Sequence, residues 1–138
     1  MTVSELIKKR RAIYPSQYEL GDIYEKDIKE ILENANFAPT HRLTQPWFFK
    51  VYQKKFKIEL ANTMVKHYRL LSSVKNNGIK EKKIMDKCIK SSCIIAIFMN
   101  RDLDESVPEW EEIASTAMAV QNMWLTCTEK NIGCYWST

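Results

Sequence analysis

The sequence predicts a single domain in which helices and strands are combined. Its 138 residues are 45% hydrophobic and 28% charged, which is ordinary for a globular protein and sufficient for one sizeable core. Apolar residues recur at helical spacing in several stretches, whereas 47–52 and 93–99 are short runs of strand-forming residues. Helical and strand signals therefore alternate along one chain, without internal repeats or low-complexity tracts.

Local signals place the individual elements. Thr2 with Glu5 forms a capping-box pattern that begins the first helix, and Pro39 ends the second. The apolar run 93–99 predicts a strand that is covered on both faces. The predicted helices are the one ending at Arg11, 25–37, 54–69, 80–90 and 109–130, and the predicted strands are 47–52, 93–99 and one beginning at Cys134.

The longest predicted helix, 109–130, is apolar around nearly its whole circumference. Such a helix is central, with the sheet on one side and another cover on the opposite side. The second cover is predicted to be a partner subunit, because the exposed patch would exceed the few hundred Å² that monomers tolerate. A two-fold interface of the obligate kind, above about 2,000 Å², would remove it. The residues of this patch are Trp110, Ala114, Ala117, Met118 and Trp124.

The segment 38–47, Ala-Pro-Thr-His-Arg-Leu-Thr-Gln-Pro-Trp, connects the second helix to the first strand. Pro39 and Pro46 bias the residues before them away from helical conformation, so the loop is predicted to be extended at both ends. Its middle carries hydrogen-bonding side chains and a cation, which suits a flat, polar, anionic ligand. The alternative is an ordinary helix-to-strand connection.

Arg10 and Arg11 stand at the end of the first helix, after Lys8 and Lys9. Cations at this end complement the helix dipole, which explains them without any ligand. The two arginines also lie where the chain leaves the helix, so they could reach across a binding site. Both interpretations stay open from the residues alone.

Composition argues against several classes of protein. The net charge of +4 is mild and its cations are interleaved with acids, which disfavours nucleic-acid binding. No segment reaches the length of a membrane span, and the early acid Glu5 is unlike a signal peptide. With two histidines, a His/Cys metal site is not expected. The cysteines, at 88, 93, 127 and 134, lack metal or redox spacing and are read as reduced thiols of a cytoplasmic protein.

Three separated segments together carry a family resemblance. They are Arg10-Arg11-Ala12-Ile13, the loop 38–47, and the helix segment 121–125 followed by Gly133-Cys134-Tyr135-Trp136. In order and spacing they resemble the Arg-Arg-Ser opening, the Ala-Pro-Ser…Gln-Pro-Trp loop and the central dimer helix of the FMN-dependent nitroreductases. Ala12 replaces the usual Ser. The loop histidine, the helix start 107–110 and the ending 136–138 resemble a small, compact branch of NAD(P)H nitroreductases.

The resemblance implies an α+β fold with a mixed central sheet, and an intertwined homodimer with two FMN sites at the subunit interface. It implies NAD(P)H as hydride donor and a small electron acceptor, such as a nitroaromatic or a quinone. By position, Arg10, Arg11 and Ala12 would lie along the flavin pyrimidine edge and phosphate. His41 and Phe37 would reach the flavin from the second subunit, and Trp136, Ser137 and Thr138 would back the isoalloxazine and ribityl chain. The flavin supplies the hydride chemistry, so no catalytic side chain is assigned.

The family continues for some tens of residues beyond the segment at Trp136. Residues 1–138 are therefore expected to form one nitroreductase-like domain that is incomplete at its C-terminal end. This leaves two functional alternatives. The first is an FMN-dependent NAD(P)H oxidoreductase, and the second is a non-catalytic flavin-binding or dimeric remnant of the family.

Overall fold

A computed structural model of the chain describes residues 1–19, 21–71 and 78–137. Short 3₁₀ turns at Pro15–Gln17 and His41–Leu43 accompany the helices and strands. The elements in chain order are α1 (Val3–Lys9), α2 (Glu25–Ala35), β1 (Trp47–Gln53), α3 (Lys55–Leu71), α4 (Gly78–Lys90), β2 (Cys93–Met99) and α5 (Glu109–Glu129).

Most helices and strands begin and end close to the residues that the local sequence signals predicted. The Thr2 backbone N–H donates to Glu5 Oε2 at 2.7 Å, and the Glu5 N–H donates to Thr2 Oγ1 at 3.3 Å, so the predicted capping box is formed. The strand predicted at 93–99 has these bounds in the structure. The second helix is two residues shorter than predicted, because 36–38 already leave the helix in turns before Pro39.

The chain divides into two compact units. The first unit contains Met1–Tyr14, Tyr24–Lys50 and Ile97–Thr138, and the second contains Pro15–Ile23 and Val51–Ala96. The prediction of a single domain stays a prediction. All predicted cofactor residues belong to the first unit.

The strands β1 and β2 pair in a two-stranded sheet. The Asn100 N–H donates to the Pro46 carbonyl at 2.7 Å, and the centroids of the Phe48 and Phe98 rings lie 5.8 Å apart. The start of β1 therefore lies beside the end of β2, and the two strands run antiparallel. The strand predicted to begin at Cys134 is not formed in the described residues. The Ile13 N–H donates to the Cys134 carbonyl at 3.0 Å, which ties this segment to the residues after α1.

The core of the first unit lies between α2 and α5. Its apolar members include Ile28, Ile31 and Ala35 on α2, which face buried residues of α5 such as Ala119 and Met123. The apolar periodicity of the two helices predicts that burial of these side chains makes the main favourable contribution to the free energy of folding.

Polar contacts tie the same two helices together at the end of α5. Lys130 donates to Asp27 Oδ1 at 3.0 Å and to Glu30 Oε2 at 2.7 Å, and these two carboxylates raise its pKa. Asn34 Nδ2 donates to Thr126 Oγ1 at 2.9 Å. These contacts fix the register of α2 against α5.

The helix α5 divides into a buried face and an exposed apolar face. The buried face carries Glu112, Ser115 and Thr116 besides its apolar residues. Trp110 is 67% exposed, and Ile113 and Met118 are also exposed. Part of the apolar circumference of α5 is therefore uncovered within this chain, as predicted for the patch at Trp110 and Met118.

In the second unit, α3 packs on α4 through the buried residues Ala61, Val65 and Cys88. The Arg69 guanidinium donates to both oxygens of Glu81, at 2.8 and 2.6 Å. Lys57 Nζ donates to the Ser91 carbonyl at the end of α4. Across the described residues, the helices are all too short or too polar to traverse a bilayer.

Candidate cofactor-binding site

The segment after α1 meets the segment after α5, although the two are more than a hundred residues apart in sequence. Ile13 is bonded to the Cys134 carbonyl, and the rings of Tyr14 and Tyr135 lie 5.2 Å apart. Two of the three motifs that carry the family resemblance are thereby brought together. The structure thus places Arg10, Arg11 and Ala12 in the same region as the stretch that leads to Trp136.

Arg10 is held against the last turns of α5. Its Cζ lies 4.6 Å from the centroid of the Trp124 ring, within the range of a cation–π contact. The indole N–H of Trp124 in turn donates to the Arg11 carbonyl at 3.2 Å. The aromatic ring orients the Arg10 guanidinium, and Trp124 is consequently half-buried rather than part of the exposed patch.

Arg11 and Lys9 have contacts of their own near the end of α1. Arg11 Nη1 donates to the Lys8 carbonyl at 2.6 Å and to the Arg10 carbonyl at 2.8 Å. Lys9 Nζ donates to Asn131 Oδ1 at 3.0 Å. Arg11 thus performs the helix-end role that the sequence left open for it. Ala12 is half-buried beside it.

The loop between Pro39 and Pro46 turns back on itself, and Gln45 at its second end has φ 44°, so the prediction that both ends are extended is wrong at that end. Thr40 is extended, with φ −147° and ψ 130°. Arg42, Leu43 and Gln45 adopt positive φ angles of 53°, 54° and 44°. The Thr40 hydroxyl stabilises the turn by accepting the Gln45 N–H at 3.1 Å. Non-glycine residues in the left-handed region cost about 1–3 kcal/mol each and cluster at functional sites.

His41 is anchored at the opposite end of α5 from Arg10. Its Nδ1 lies 2.5 Å from Glu111 Oε2, in the first turn of the helix. This contact holds the imidazole on one side, and the His41 side chain is 56% exposed. Phe37 is 81% exposed on the same unit. The exposed Phe37 ring and the imidazole held by Glu111 are suited to contact a flat ligand.

The predicted site residues therefore form two groups in one chain. Glu111 and Trp124 are thirteen residues apart on α5, which corresponds to about 20 Å along the helix axis. The His41 group and the Arg10 group thus lie near opposite ends of one helix. Trp136 is exposed by about half and Ser137 is exposed, while Thr138 lies outside the described residues.

Sequence reasoning missed a pair of thiols beside the Arg10 group. The Cys127 side chain and the positive charge of Arg10 lower the pKa of the Cys134 thiol, against the effect of burial, although the spacing of the two cysteines matches no redox motif. The available signal was the helix stop Asn131-Ile132-Gly133 between them, since a helix-ending turn returns the chain along its own last turn. In the described residues no cluster of His, Cys, Asp or Glu could hold a metal ion.

Comparisons with known proteins agree with this architecture. The chain is 27% identical over 140 residues to a Bacillus subtilis protein provisionally named NAD(P)H nitroreductase YfhC, covering 97% of this chain and 68% of that protein. It is similar to a nitroreductase-like family protein from Bacillus cereus, with 22% identity, a TM-score of 0.85, and coverage of 100% and 70%. It also resembles a Bacteroides fragilis nitroreductase solved with bound FMN, with 24% identity, a TM-score of 0.70, and coverage of 93% and 65%.

The protein has an α+β fold and belongs to the flavin oxidoreductases as a class of enzyme. The profile of the nitroreductase family matches residues 7–138, so the chain belongs to that family. The family resemblance, the fold class and the expected class of enzyme are thereby confirmed.

Proposed function

We propose that this protein is an FMN-dependent NAD(P)H oxidoreductase that works as a homodimer, with each FMN held between two subunits. NAD(P)H is the proposed donor, and a nitroaromatic, a quinone or a similar small molecule is the proposed acceptor. FMN, when bound, supplies the hydride chemistry. The B. subtilis relative has NAD(P)H in its name, and the B. fragilis structure contains FMN. Both support the choice of cofactors.

The observation that carries the proposal is the separation of the two groups along α5. About 20 Å between the anchors of His41 and Arg10 is too far for both side chains of one chain to contact a single isoalloxazine ring. Two copies of α5 that pack antiparallel about a two-fold axis would bring the His41 end of one subunit to the Arg10 end of the other. The exposed apolar face at Trp110 and Met118 offers the surface for this packing.

The side chains in the two groups fit the chemistry of FMN. The guanidinium of Arg10, held over the Trp124 ring, suits the phosphate or the pyrimidine oxygens, where reduced flavin accumulates negative charge. The exposed rings of Phe37 and Trp136 suit the isoalloxazine faces. Arg11 already donates to the end of α1, so the larger contribution is assigned to Arg10. A cytoplasmic location is proposed from the four reduced cysteines.

Titration with FMN tests the cofactor assignment. Replacing Arg10→Ala should weaken FMN binding by about 1.5–3 kcal/mol, the range for hydrogen bonds to charged groups, or roughly 10- to 150-fold in Kd. Lys8→Ala is the matched control, because it removes one cation from the same helix end. A colourless protein that takes up no FMN would instead support the non-catalytic remnant, and equal Kd values for the two variants would remove Arg10 from the site.

Mixing two inactive variants tests the shared site. In a co-expressed mixture of Arg10→Ala and His41→Ala chains, each heterodimer regains one site with both residues. About a quarter of the wild-type number of sites should then bind FMN with wild-type affinity. If no tight sites return, His41 does not act on the flavin of the partner subunit.

A further inference from the structure

The net positive charge of this protein is concentrated in its second unit. By sequence, that unit holds eleven of the 21 Lys and Arg residues but five of the 17 Asp and Glu residues, so its net charge is +6, whereas that of the first unit is −2. We propose that one end of the α3–α4 helix pair in this unit docks on a membrane surface rich in anionic phospholipid. The contact is peripheral, at the level of the lipid headgroups, and is independent of flavin binding.

The end of α3 lies beside the start of α4. The Arg69 guanidinium donates to both oxygens of Glu81, at 2.8 and 2.6 Å. Lys80 Nζ lies 5.1 Å from the centroid of the Tyr68 ring. The last turn of one helix is therefore fixed against the first turn of the other, and the residues next to these contacts belong to one end of the helix pair.

Three large aliphatic side chains are exposed at this end. Leu70 is 70% exposed, Leu71 is 84% exposed and Ile79 is 68% exposed. Leu70 and Leu71 directly follow Arg69, and Ile79 directly precedes Lys80, so all three lie next to the contacts that join the helices. We call these three residues the apolar tip. Exposed apolar residues that cluster within a polar surrounding are typical of an interaction site.

Exposed lysines lie next to the apolar tip and continue along α4. Spacings of three, four and three residues place four of them on one face of this helix. They are Lys80, Lys83, Lys87 and Lys90. The acids of α4 are Glu81 and Asp86, and Glu81 is engaged by Arg69. Like charges at this spacing repel one another, and an anionic surface would convert the repulsion into attraction.

Cations also border the tip on the side of the cleft between the two helices. Lys66 and Lys82 are exposed and line this cleft together with Leu70. The docking surface thus has an aliphatic centre with ammonium groups around it.

An anionic bilayer matches both parts of this surface. The aliphatic side chains can enter the boundary of the acyl chains while the lysine stems extend along apolar surface and their ammonium groups reach the phosphates. A second copy of the same surface would bring lysines against lysines. A nucleic acid would attract the lysines but leave the aliphatic side chains in water. A protein partner would need a pocket shaped for the tip, whereas a bilayer needs none.

Sedimentation of the whole, unmodified protein with vesicles tests the proposal directly. The protein should bind vesicles of equal parts phosphatidylglycerol and phosphatidylcholine, should not bind pure phosphatidylcholine, and should be released by high salt. Glycerol phosphate and a duplex oligonucleotide are the soluble competitors, and neither should displace it. The proposal is overturned if the mixed vesicles are not bound, if both kinds of vesicle are bound equally, or if either competitor displaces the protein.

Replacing two lysines tests the electrostatic part. Lys80→Gln together with Lys83→Gln should lower the partition coefficient about 25-fold, or roughly fivefold for each lysine removed near an anionic leaflet. Lys26→Gln together with Lys29→Gln is the matched control in the first unit, because both side chains are exposed and Lys26 lies over the Tyr24 ring as Lys80 lies over its own tyrosine. Equal losses in the two double variants would mean that only total charge matters, which contradicts a defined docking surface.

Replacing one leucine tests the aliphatic part. Leu71→Ser should lower the partition coefficient about tenfold, since the side chain then no longer transfers apolar surface into the bilayer. Leu103→Ser is the control, because Leu103 is 98% exposed in the first unit, and it should leave binding unchanged. Circular dichroism should show the same helix content in both variants, as both side chains are exposed. Unchanged vesicle binding by a folded Leu71→Ser variant would refute insertion of the tip.

Discussion

Replacing Arg101→Met should destabilise the first unit, because it removes the charged partner of the buried Glu112 carboxylate. Glu112, on the inner face of α5, is 1% exposed. Its Oε2 accepts from the Arg101 guanidinium, and its Oε1 accepts from the Asp102 N–H at 2.9 Å. Without Arg101 the carboxylate keeps one backbone donor and loses its only charged partner among the described residues.

The expected cost follows from the burial of the two partners. Removing one member of a buried ion pair costs about 3–5 kcal/mol, because the other charge stays buried without compensation. The Arg101 side chain is 29% exposed, so in the variant water can replace part of the hydrogen bonding that the guanidinium provides to Glu112. We therefore expect a loss of about 2–4 kcal/mol in the free energy of unfolding.

Urea unfolding at one fixed protein concentration measures this loss, since the stability of the proposed dimer would depend on concentration. Lys29→Met is the control, because it breaks the exposed Lys29–Glu33 pair and should cost below about 0.5 kcal/mol. In a Glu112→Gln background, Arg101→Met should cost below about 1 kcal/mol, because no buried charge is left. Equal losses for Arg101→Met and Lys29→Met would refute the reasoning.

Two further predictions concern the proposed dimer and its loop. Met118→Glu places a charge on the exposed apolar face of α5 and should give insoluble protein, since an obligate interface cannot be opened without loss of folding. Light scattering of the unmodified chain tests the dimer itself, and a folded monomer of about 16.3 kDa would contradict it. Glu111→Gln retains the size of the side chain but removes its charge, so the contact with His41 should weaken by about 1 kcal/mol. In the proposed shared site this should raise the Kd for FMN roughly fivefold, whereas Glu109→Gln, two residues earlier on the same helix, should leave it unchanged.

Only part of the candidate site could be predicted from the sequence. The motif at Arg10 and the loop histidine were identifiable because family motifs are contiguous in the chain. Their partners Trp124 and Glu111 were not, since these contacts depend on which residues the fold brings together. The loop shows the limit most clearly. Pro46 favours an extended Gln45, yet Gln45 has φ 44° because the turn closed by Thr40 requires it.

The sequence by itself determined the approximate positions of α1 to α5 and of β1 and β2, because capping boxes, prolines and apolar periodicity act over a few residues. The tertiary structure decided which face of α5 is buried. There Glu112 points inward to Arg101 while Trp110 stays exposed, the reverse of what polarity alone predicts. It also decided that the part of the segment from Cys134 that the structure describes is not a strand, although the Ile13 N–H donates to the Cys134 carbonyl. Burial and pairing depend on neighbours that are distant in sequence, and local pattern carries no information about them.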